Sequence, residues 1–345
     1  IDPARAIMPN FNLTARNRDA VVEICTRLDG LALAIELAAD RIKLLGPEAI
    51  AARLDRRLAL LTSGRSDAPL RHRTLSAAIE WSYDLLSPDE QRLLRRLAVF
   101  PSGWTIDSAT DVLGAVGSDS PDVFEGLATL ADHSLIVQSP ESGSEPRFEM
   151  LQTMREFGFS RLEAAGETEP LQRSLANWAL ALTERAAPLL DGPEQIEWLG
   201  RLSAEHDTIR FALQFGKETD PALVPRLVVA MRRFWQLRGF RQEAAIWIET
   251  ALASEARPSP ELDAWLLIAN AAALDARGEM AAEIEILERV VASGRTMGDV
   301  AITMAALLDL GAVCLEQGQL TRAAGYLQEC IALARQSGDR RQEAM

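Results

Sequence analysis

Apolar residues recur every three to four positions along most of this chain, which is the spacing of one face of a helix. Residues 31–45 form a nearly continuous apolar stretch, and this predicts a buried helix. The segment Ser87-Pro88-Asp89-Glu90 combines a capping serine, a proline in the first turn and a glutamate for a capping box. Leu93 and Leu97 continue the apolar stripe behind it. The chain is therefore predicted to be mainly all-α.

One region departs from helical spacing. Residues 134–138 and 147–151 are predicted to be two short strands, and the Gly/Ser/Pro-rich residues between them a turn. Helices are predicted on both sides of this hairpin, at 105–113, 121–132 and 153–165. Helices followed by one β-hairpin and a closing helix are typical of a winged-helix domain.

Beyond residue 170 the pattern is helical throughout and repeats itself. Gly239, Gly278 and Gly318 recur at spacings of 39 and 40 residues, each between two helical segments. Three sets of residues at matching offsets follow them, namely Ala244, Glu283 and Ala323; Ile248, Leu287 and Leu327; and Ala251, Val290 and Cys330. This pattern predicts helix pairs stacked into a TPR-like α-solenoid, with a period above the roughly 34 residues of tetratricopeptide repeats. A plain helical bundle is the alternative.

These patterns divide the chain into three predicted domains. Residues 1–64 form a helical subdomain, residues 65–168 a winged-helix domain and residues 169–345 the helical repeats. The polar, turn-rich residues 62–69 separate the first two domains and are a hinge candidate.

The lysines do not supply a phosphate-binding loop. Such a loop needs a Gly-rich turn that ends in Gly-Lys-Ser/Thr. Lys43 has no glycine before it, and Lys217 is followed by Glu218. We therefore expect no catalytic residues in this chain and no enzyme activity.

The other reactive side chains do not predict a metal or redox site. His72, His133 and His206 are isolated from one another, and the three cysteines form no CxxC pair, as is usual in a reducing cytosol. No apolar run approaches the roughly 18 residues of a membrane span. We expect a cytoplasmic protein without a metal ion and without membrane contact.

Charge argues against DNA contact. The net charge is −14, and no lysine or arginine occurs from Leu97 to Pro146. The helix predicted before the hairpin, which would enter the major groove, instead carries Asp122, Glu125 and Asp132. We expect no direct DNA contact from this chain; a DNA-binding regulator is the competing hypothesis.

Several segments resemble one family. Residues 24–39, ICTRLDGLALAIELAA, resemble the helical subdomain that follows the nucleotide-binding core in the signal-transduction ATPases with numerous domains (the STAND class). The form resembled is the bacterial transcription regulator, a LuxR/SARP-like ATPase with tetratricopeptide repeats. Residues 72–86, with the later residues 96–100, resemble the helical subdomain as well, and residues 148–157 resemble the end of the winged helix. Residues 205–207 and 234–239 resemble the sensor region that leads into the repeats. The resemblance covers nearly the whole chain.

This resemblance implies a regulatory segment that couples ligand or partner binding on the repeats to a nucleotide-dependent switch. The nucleotide-binding core, NB-ARC-like with its P-loop, is expected before Ile1, so the chain is expected to be a fragment. ATP or ADP is expected in the full-length parent, and its base would contact Gly30, Leu31, Ala32 and Leu33 by resemblance. Transcription control is the expected output.

The input signal is expected on the concave side of the repeats, because stacked helix pairs leave one curved face lined by their first helices. Trp235, Trp265 and Ile268 are predicted there, to bind a protein, a peptide or a small-molecule inducer. Trp247 is predicted on a second helix, packed between repeats. The alternative is that the tryptophans belong to the core. A free-standing TPR-like interaction scaffold with no nucleotide role is the competing function.

Overall fold

The computed structural model describes residues 11–14, 16–27, 35, 38, 39, 42, 46–52, 75–116, 122–133, 135–139, 145–255 and 259–337. The chain divides into two compact units, Ile1–Leu175 and Ala176–Met345. The predicted domain boundary at 64/65 and the hinge at 62–69 lie outside the described residues, as do Gly30, Leu31, Ala32 and Leu33.

The first unit begins with helices α1 (Arg18–Arg27) and α2 (Pro47–Ala51), which pack together. Thr14 precedes α1, where its hydroxyl accepts a hydrogen bond from the Asn17 amide at 3.3 Å and the Asn17 side chain accepts one from the Thr14 amide at 2.8 Å. These reciprocal hydrogen bonds cap the turn that leads into α1.

The remaining elements of the first unit form the winged-helix fold. They are α3 (Leu75–Asp84), α4 (Pro88–Leu97), β1 (Trp104–Thr105), α5 (Ile106–Gly114), α6 (Val123–Asp132), β2 (Val137–Gln138), β3 (Arg147–Glu149) and α7 (Gln152–Ala164). Both halves of the predicted capping box join Ser87 and Glu90 at the start of α4. Leu93 and Leu97 of α4 are fully buried, and α6 and α7 pack against this helix. A β-carbon at Gly126 of α6 would overlap the Leu93 side chain, so glycine permits that close approach.

The sheet has one strand more than the sequence predicted. Strands β2 and β3 form the predicted hairpin, and β1 pairs antiparallel with the other side of β3, which gives the order β1-β3-β2. Trp104 stands opposite Phe148 in this pairing. The additional strand is only two residues long, and Thr105 immediately caps helix α5. Its alternation was therefore too short to predict.

Two arginines of α4 share one carboxylate. Arg95 Nε and Nη2 each donate to Glu167 at 3.1 Å, and Arg96 Nη2 donates to it at 3.0 Å. The side chain of Arg96 is 10% exposed and that of Glu167 is 20% exposed. This cluster, which we call the paired cluster, fastens the residue before helix α8 (Thr168–Ala186) to the middle of the winged-helix domain.

The second unit is entirely helical among its described residues. Its elements after α8 are a 3-10 turn (Ala187–Asp191), α9 (Gln195–Ala204), α10 (His206–Thr219), α11 (Leu223–Arg238), α12 (Arg241–Ala253), α13 (Pro260–Arg277), α14 (Met280–Met297), α15 (Val300–Glu316) and α16 (Leu320–Ser337). From α11 onward each helix packs on the next. The first helices of the pairs, α11, α13 and α15, also pack in sequence on one another. This arrangement is solenoid-like, as predicted.

The recurring glycines end these first helices. Gly239, Gly278 and Gly318 have φ values of 77°, 75° and 71°. These are left-handed conformations, which glycine adopts without the steric cost of a side chain. The predicted repeat register is therefore confirmed over the described part of the chain.

Candidate ligand-binding groove

Three adjoining cavities lie along the first helices of the repeats. The first, of about 160 Å³, is bounded by Trp235 and by small residues of α12 and α13. The second, of about 530 Å³, shares Arg232 with the first. The third, of about 170 Å³, shares Gln236, Ala272 and Asp275 with the first. We call this continuous surface the repeat groove.

Small side chains on α13 open the first cavity. Ala269, Ala272, Ala273 and Ala276 all line it. Alanine favours the helix while reaching only one carbon from the backbone. These alanines therefore preserve the helix and leave space between α13 and α11.

A cation lies between the first two cavities. The Arg232 guanidinium carbon stands 4.9 Å from the centre of the Trp265 ring, within the range of a cation–π interaction. Burial lowers the pKa of Arg232, while the charges of Asp309 and Asp191 favour its protonated form. Its buried Nε donates no hydrogen bond to any residue that the structure describes.

The third cavity is acidic. Asp275, Glu283, Asp309 and Glu316 line it together with four uncharged residues. Burial raises the pKa of Glu283 to about 7, and repulsion from the other three carboxylates adds to the shift. Burial likewise raises the pKa of Asp309 to about 6, against the opposing charge of Arg232. The carboxylates at this end of the groove therefore favour protonation or a cationic partner.

Glu283 is the least exposed of these four carboxylates. The residue is only 5% exposed, and its buried Oε2 accepts no hydrogen bond from the described part of the chain. Among the residues covered by the structure, no group of histidine, cysteine, aspartate and glutamate side chains is placed to hold a metal ion.

The predicted binding residues are placed differently from one another. Trp265 is half-buried and lines the groove beside Arg232. Trp235 lines the first cavity but is 1% exposed and belongs to the core. Ile268 is also 1% exposed and packs in the core, and it is not among the residues that line these three cavities. The structure therefore brings the two tryptophans to the groove and leaves Ile268 out. Binding by the tryptophans stays a prediction.

The charged groove residues Arg232, Glu283 and Asp309 were not predicted from the sequence. One signal for Glu283 was present. It occupies the repeat position that holds Ala244 and Ala323 in the neighbouring pairs, and Ala323 is fully buried. A carboxylate at a position that is otherwise a packed alanine indicates a buried charge.

The comparisons with known proteins agree with the winged-helix fold. A family model described as a winged helix-turn-helix domain matches residues 86–163, which contain α4 to α6, the sheet and most of α7. Two curated relatives carry the name "Putative HTH-type transcriptional regulator", one from Mycobacterium tuberculosis and one from Mycobacterium bovis. Each is 30% identical over 355 residues, which covers 98% of this chain. The chain spans 39% of the length of these relatives.

Two further matches are partial. An uncharacterized Mycobacterium bovis protein is 37% identical over 175 residues, which is 49% of this chain and 43% of that protein. A crystal structure from Pyrococcus horikoshii, of a STAND protein with a tetratricopeptide repeat sensor, covers 90% of this chain and 54% of its own at 15% identity. Its TM-score is 0.34, which is too low to assign a fold.

These findings confirm the winged-helix prediction and the similarity to transcription regulators. They do not support the expectation that this chain makes no direct DNA contact, because the matched domain is a helix-turn-helix. No helix within the described ranges is long and apolar enough to cross a membrane.

Proposed function

We propose, from the homology of this chain to HTH-type transcriptional regulators, that it is the regulatory and sensor segment of a STAND-type ATPase. In this proposal the repeats bind a ligand or partner, and the winged-helix unit passes the signal to a nucleotide-binding core in the full-length parent. ATP or ADP is bound by that core, and this chain carries no catalytic residue. The observation that carries the proposal is the repeat groove, whose charged and half-buried lining is suited to an input ligand.

A switch of this kind requires two states for which the ligand has different affinities. Groove occupancy then changes the nucleotide state of the parent, and by linkage the nucleotide changes ligand affinity by the same factor. A free-standing repeat scaffold would bind its partner without this reciprocity.

The test uses the full-length gene product, with its groove filled by Ala272→Leu. Ala272 lines both the first and the third cavities. We expect this variant to bind ADP and ATP with wild-type affinity but to lose the change in nucleotide exchange that the inducer produces. Nucleotide exchange is followed with a fluorescent nucleotide analogue, using a cell extract that induces the wild-type protein.

Ala292→Leu is the matched control. Ala292 is exposed on α14, so the same enlargement leaves the groove unchanged. If both variants respond to the inducer as the wild type does, the groove is not the input site. A full-length product that lacks a Gly-Lys-Ser/Thr loop and binds no nucleotide would reject the switch and leave the scaffold function.

DNA binding by the winged helix is a second candidate function, favoured by the helix-turn-helix match. Helix α6 precedes the hairpin, which is the position of a recognition helix. Its described residues carry Glu125 and Asp132 and no arginine or lysine. A gel shift at low salt tests this candidate: a sequence-dependent complex that weakens with added salt supports it, and no complex with any duplex rejects it.

A further inference from the structure

The acidic end of the repeat groove contains a charge without a counter-charge. Water solvates a carboxylate strongly, and burial without a hydrogen bond or a cation is costly. Glu283 is 5% exposed, and its Oε2 has no hydrogen-bond donor among the described residues. The charged neighbours that affect Glu283 are Asp275, Asp309 and Glu316, and all three are carboxylates that repel it. A cation is the group that this site lacks.

The nearby arginine does not meet this need. Arg232 lies against the Trp265 ring, and its charge acts on Asp309. It is not among the groups whose charge affects Glu283. No cation of the described residues neutralises Glu283, which leaves this carboxylate available to a cationic ligand.

The described carboxylates are not arranged to hold a divalent metal ion. A divalent ion needs several oxygen ligands that converge on one point. Within the described residues, no group of carboxylates is placed to hold a metal ion, although four of them line this cavity. An ammonium or guanidinium group has several donors that point outward, so it suits carboxylates that surround a cavity without converging.

The neighbouring cavity offers an apolar surface for the rest of the ligand. The acidic cavity adjoins the first cavity through Gln236, Ala272 and Asp275. Alanines, Ile248 and Trp235 form the apolar part of the first cavity, which measures about 160 Å³ and is also lined by Arg232, Gln236, Arg241 and Asp275. A short hydrocarbon chain attached to the cationic group would occupy it.

We propose that the repeat groove binds an organic cation, an ammonium or guanidinium group on a short hydrocarbon chain, with Glu283 as its direct partner. The inference rests on the proposed function in one respect, since it assigns a ligand class to the groove that the proposed function treats as the input site. Asp275, Asp309 and Glu316 supply the surrounding negative charge.

This arrangement makes binding depend on pH. Glu283 must be ionised to pair with the cation, and its pKa in the free protein is about 7. The groups that face it are Asp275 from α13 and Asp309 and Glu316 from α15, while Arg232 from α11 acts on Asp309. Affinity for an amine that stays protonated throughout should therefore rise between about pH 6 and pH 8.

The test is calorimetric titration of the 345-residue chain with 1,5-diaminopentane, with 1-pentanol as the neutral comparison and a lysine-containing tripeptide as a second probe. We expect the diamine to bind at millimolar concentration or below and pentanol not to bind. Tighter binding of the tripeptide than of the diamine would identify the cation as a side chain of a protein partner, and the reverse order would identify a small amine. No binding of either cation would overturn the proposal.

Glu283→Gln is compared with Glu285→Gln, which removes the same charge from an exposed position on the same helix. We expect the first variant to weaken diamine binding at about pH 8 by at least about tenfold and to remove the rise in affinity around pH 7, leaving only the weaker change near pH 6 that follows Asp309. The second variant should change neither. An equal effect of both variants would mean general attraction to an acidic protein and would reject the site. Circular dichroism of both variants verifies folding.

The two proposals fail separately. The diamine could bind through Glu283 while the parent protein does not respond to groove occupancy. This result would reject the proposed switch and support the cation site. A parent that responds to its inducer and loses the response in Ala272→Leu, but whose repeats bind no cation, would reject only the ligand class.

Discussion

Two glutamates, one in each unit, show opposite ways of accommodating a buried charge. In the winged-helix unit, Glu167 accepts hydrogen bonds from both Arg95 and Arg96. In the repeat unit, Glu283 is buried among carboxylates and has an oxygen without a donor in the described structure. Among the described residues, the first arrangement is complete and the second is not. Buried ionisable groups alone therefore do not identify a binding site, and the missing partner distinguishes one kind from the other.

The pKa values express this contrast. Burial raises the pKa of Glu167, but hydrogen bonds and charge from Arg96 and Arg95 outweigh it, so the net shift is downward. Burial raises the pKa of Glu283, and its neighbours raise it further. The cost of burying the carboxylate is offset by the two arginines for Glu167 and is not offset for Glu283.

Of the four changes, Trp235→Ala should cause the largest loss of stability. A small loss would mean that a residue lining the groove can be removed without disturbing the core. Trp235 lines the groove yet is 1% exposed, so we expect its truncation to destabilise the repeat unit by about 3 to 5 kcal/mol. Amide hydrogen exchange in α11 and α13 measures this loss. Trp265→Ala is the matched variant, and it should cost less because Trp265 is half-buried. Equal losses in the two variants would mean that both tryptophans are purely structural.

Glu167→Gln should destabilise the winged-helix unit by about 2 kcal/mol, since it removes the acceptor charge and leaves two partly buried guanidinium groups facing an amide. Amide exchange in α4 reports the change. Because the folded pKa of Glu167 is lowered, its contribution is complete above the ordinary value of 4.5 and is lost as pH falls through the folded pKa. A variant with unchanged exchange would show that the paired cluster adds nothing to stability.

Glu283→Gln should stabilise the repeat unit, by about 1 to 2 kcal/mol at pH 8. The sign follows from the raised pKa: between pH 4.5 and about 7 the unfolded state loses its proton first, so stability falls across this window and the cost of ionisation is complete above about 7. The gain should disappear below pH 4.5, where both states are protonated. Thermal melting across this pH range measures it, and a destabilised variant at pH 8 would contradict the unpaired-charge interpretation.

Glu249→Ala should have the smallest effect, below about 0.5 kcal/mol. Glu249 accepts a hydrogen bond from Arg277 at 3.0 Å, but their side chains are 65% and 41% exposed. Arg277 also keeps Glu279 as a partner. If so, the Arg277–Glu249 pair shows that an exposed ion pair contributes little to stability, in contrast to the partly buried Glu167 pair. A loss above 1 kcal/mol in urea unfolding would mean that exposure is a poor guide to the value of these pairs.

Much of the fold followed from the sequence because it depends on local signals. The Ser87 capping box, the hairpin and the left-handed glycines are each specified within a few residues. Strand β1 was not predicted, because its partner residue Phe148 is distant in sequence and only two residues pair. The groove was not predicted for the same reason, since Arg232 in α11 and Asp309 in α15 interact although they are distant in sequence. The interaction of Glu283 with Asp309 likewise requires the stacking of one pair on the next.

The glycines that close the first helices have a consequence for how such a groove can change its length. A β-carbon at Gly239, Gly278 or Gly318 would meet no atom within 4 Å, so each of these turns needs only its own backbone conformation. Each turn is thus independent of what its neighbours contain. Duplication or deletion of one unit of about 40 residues would preserve every turn and alter only the number of first helices along the groove. Ligand length could then be selected by counting units, without redesign of any single one.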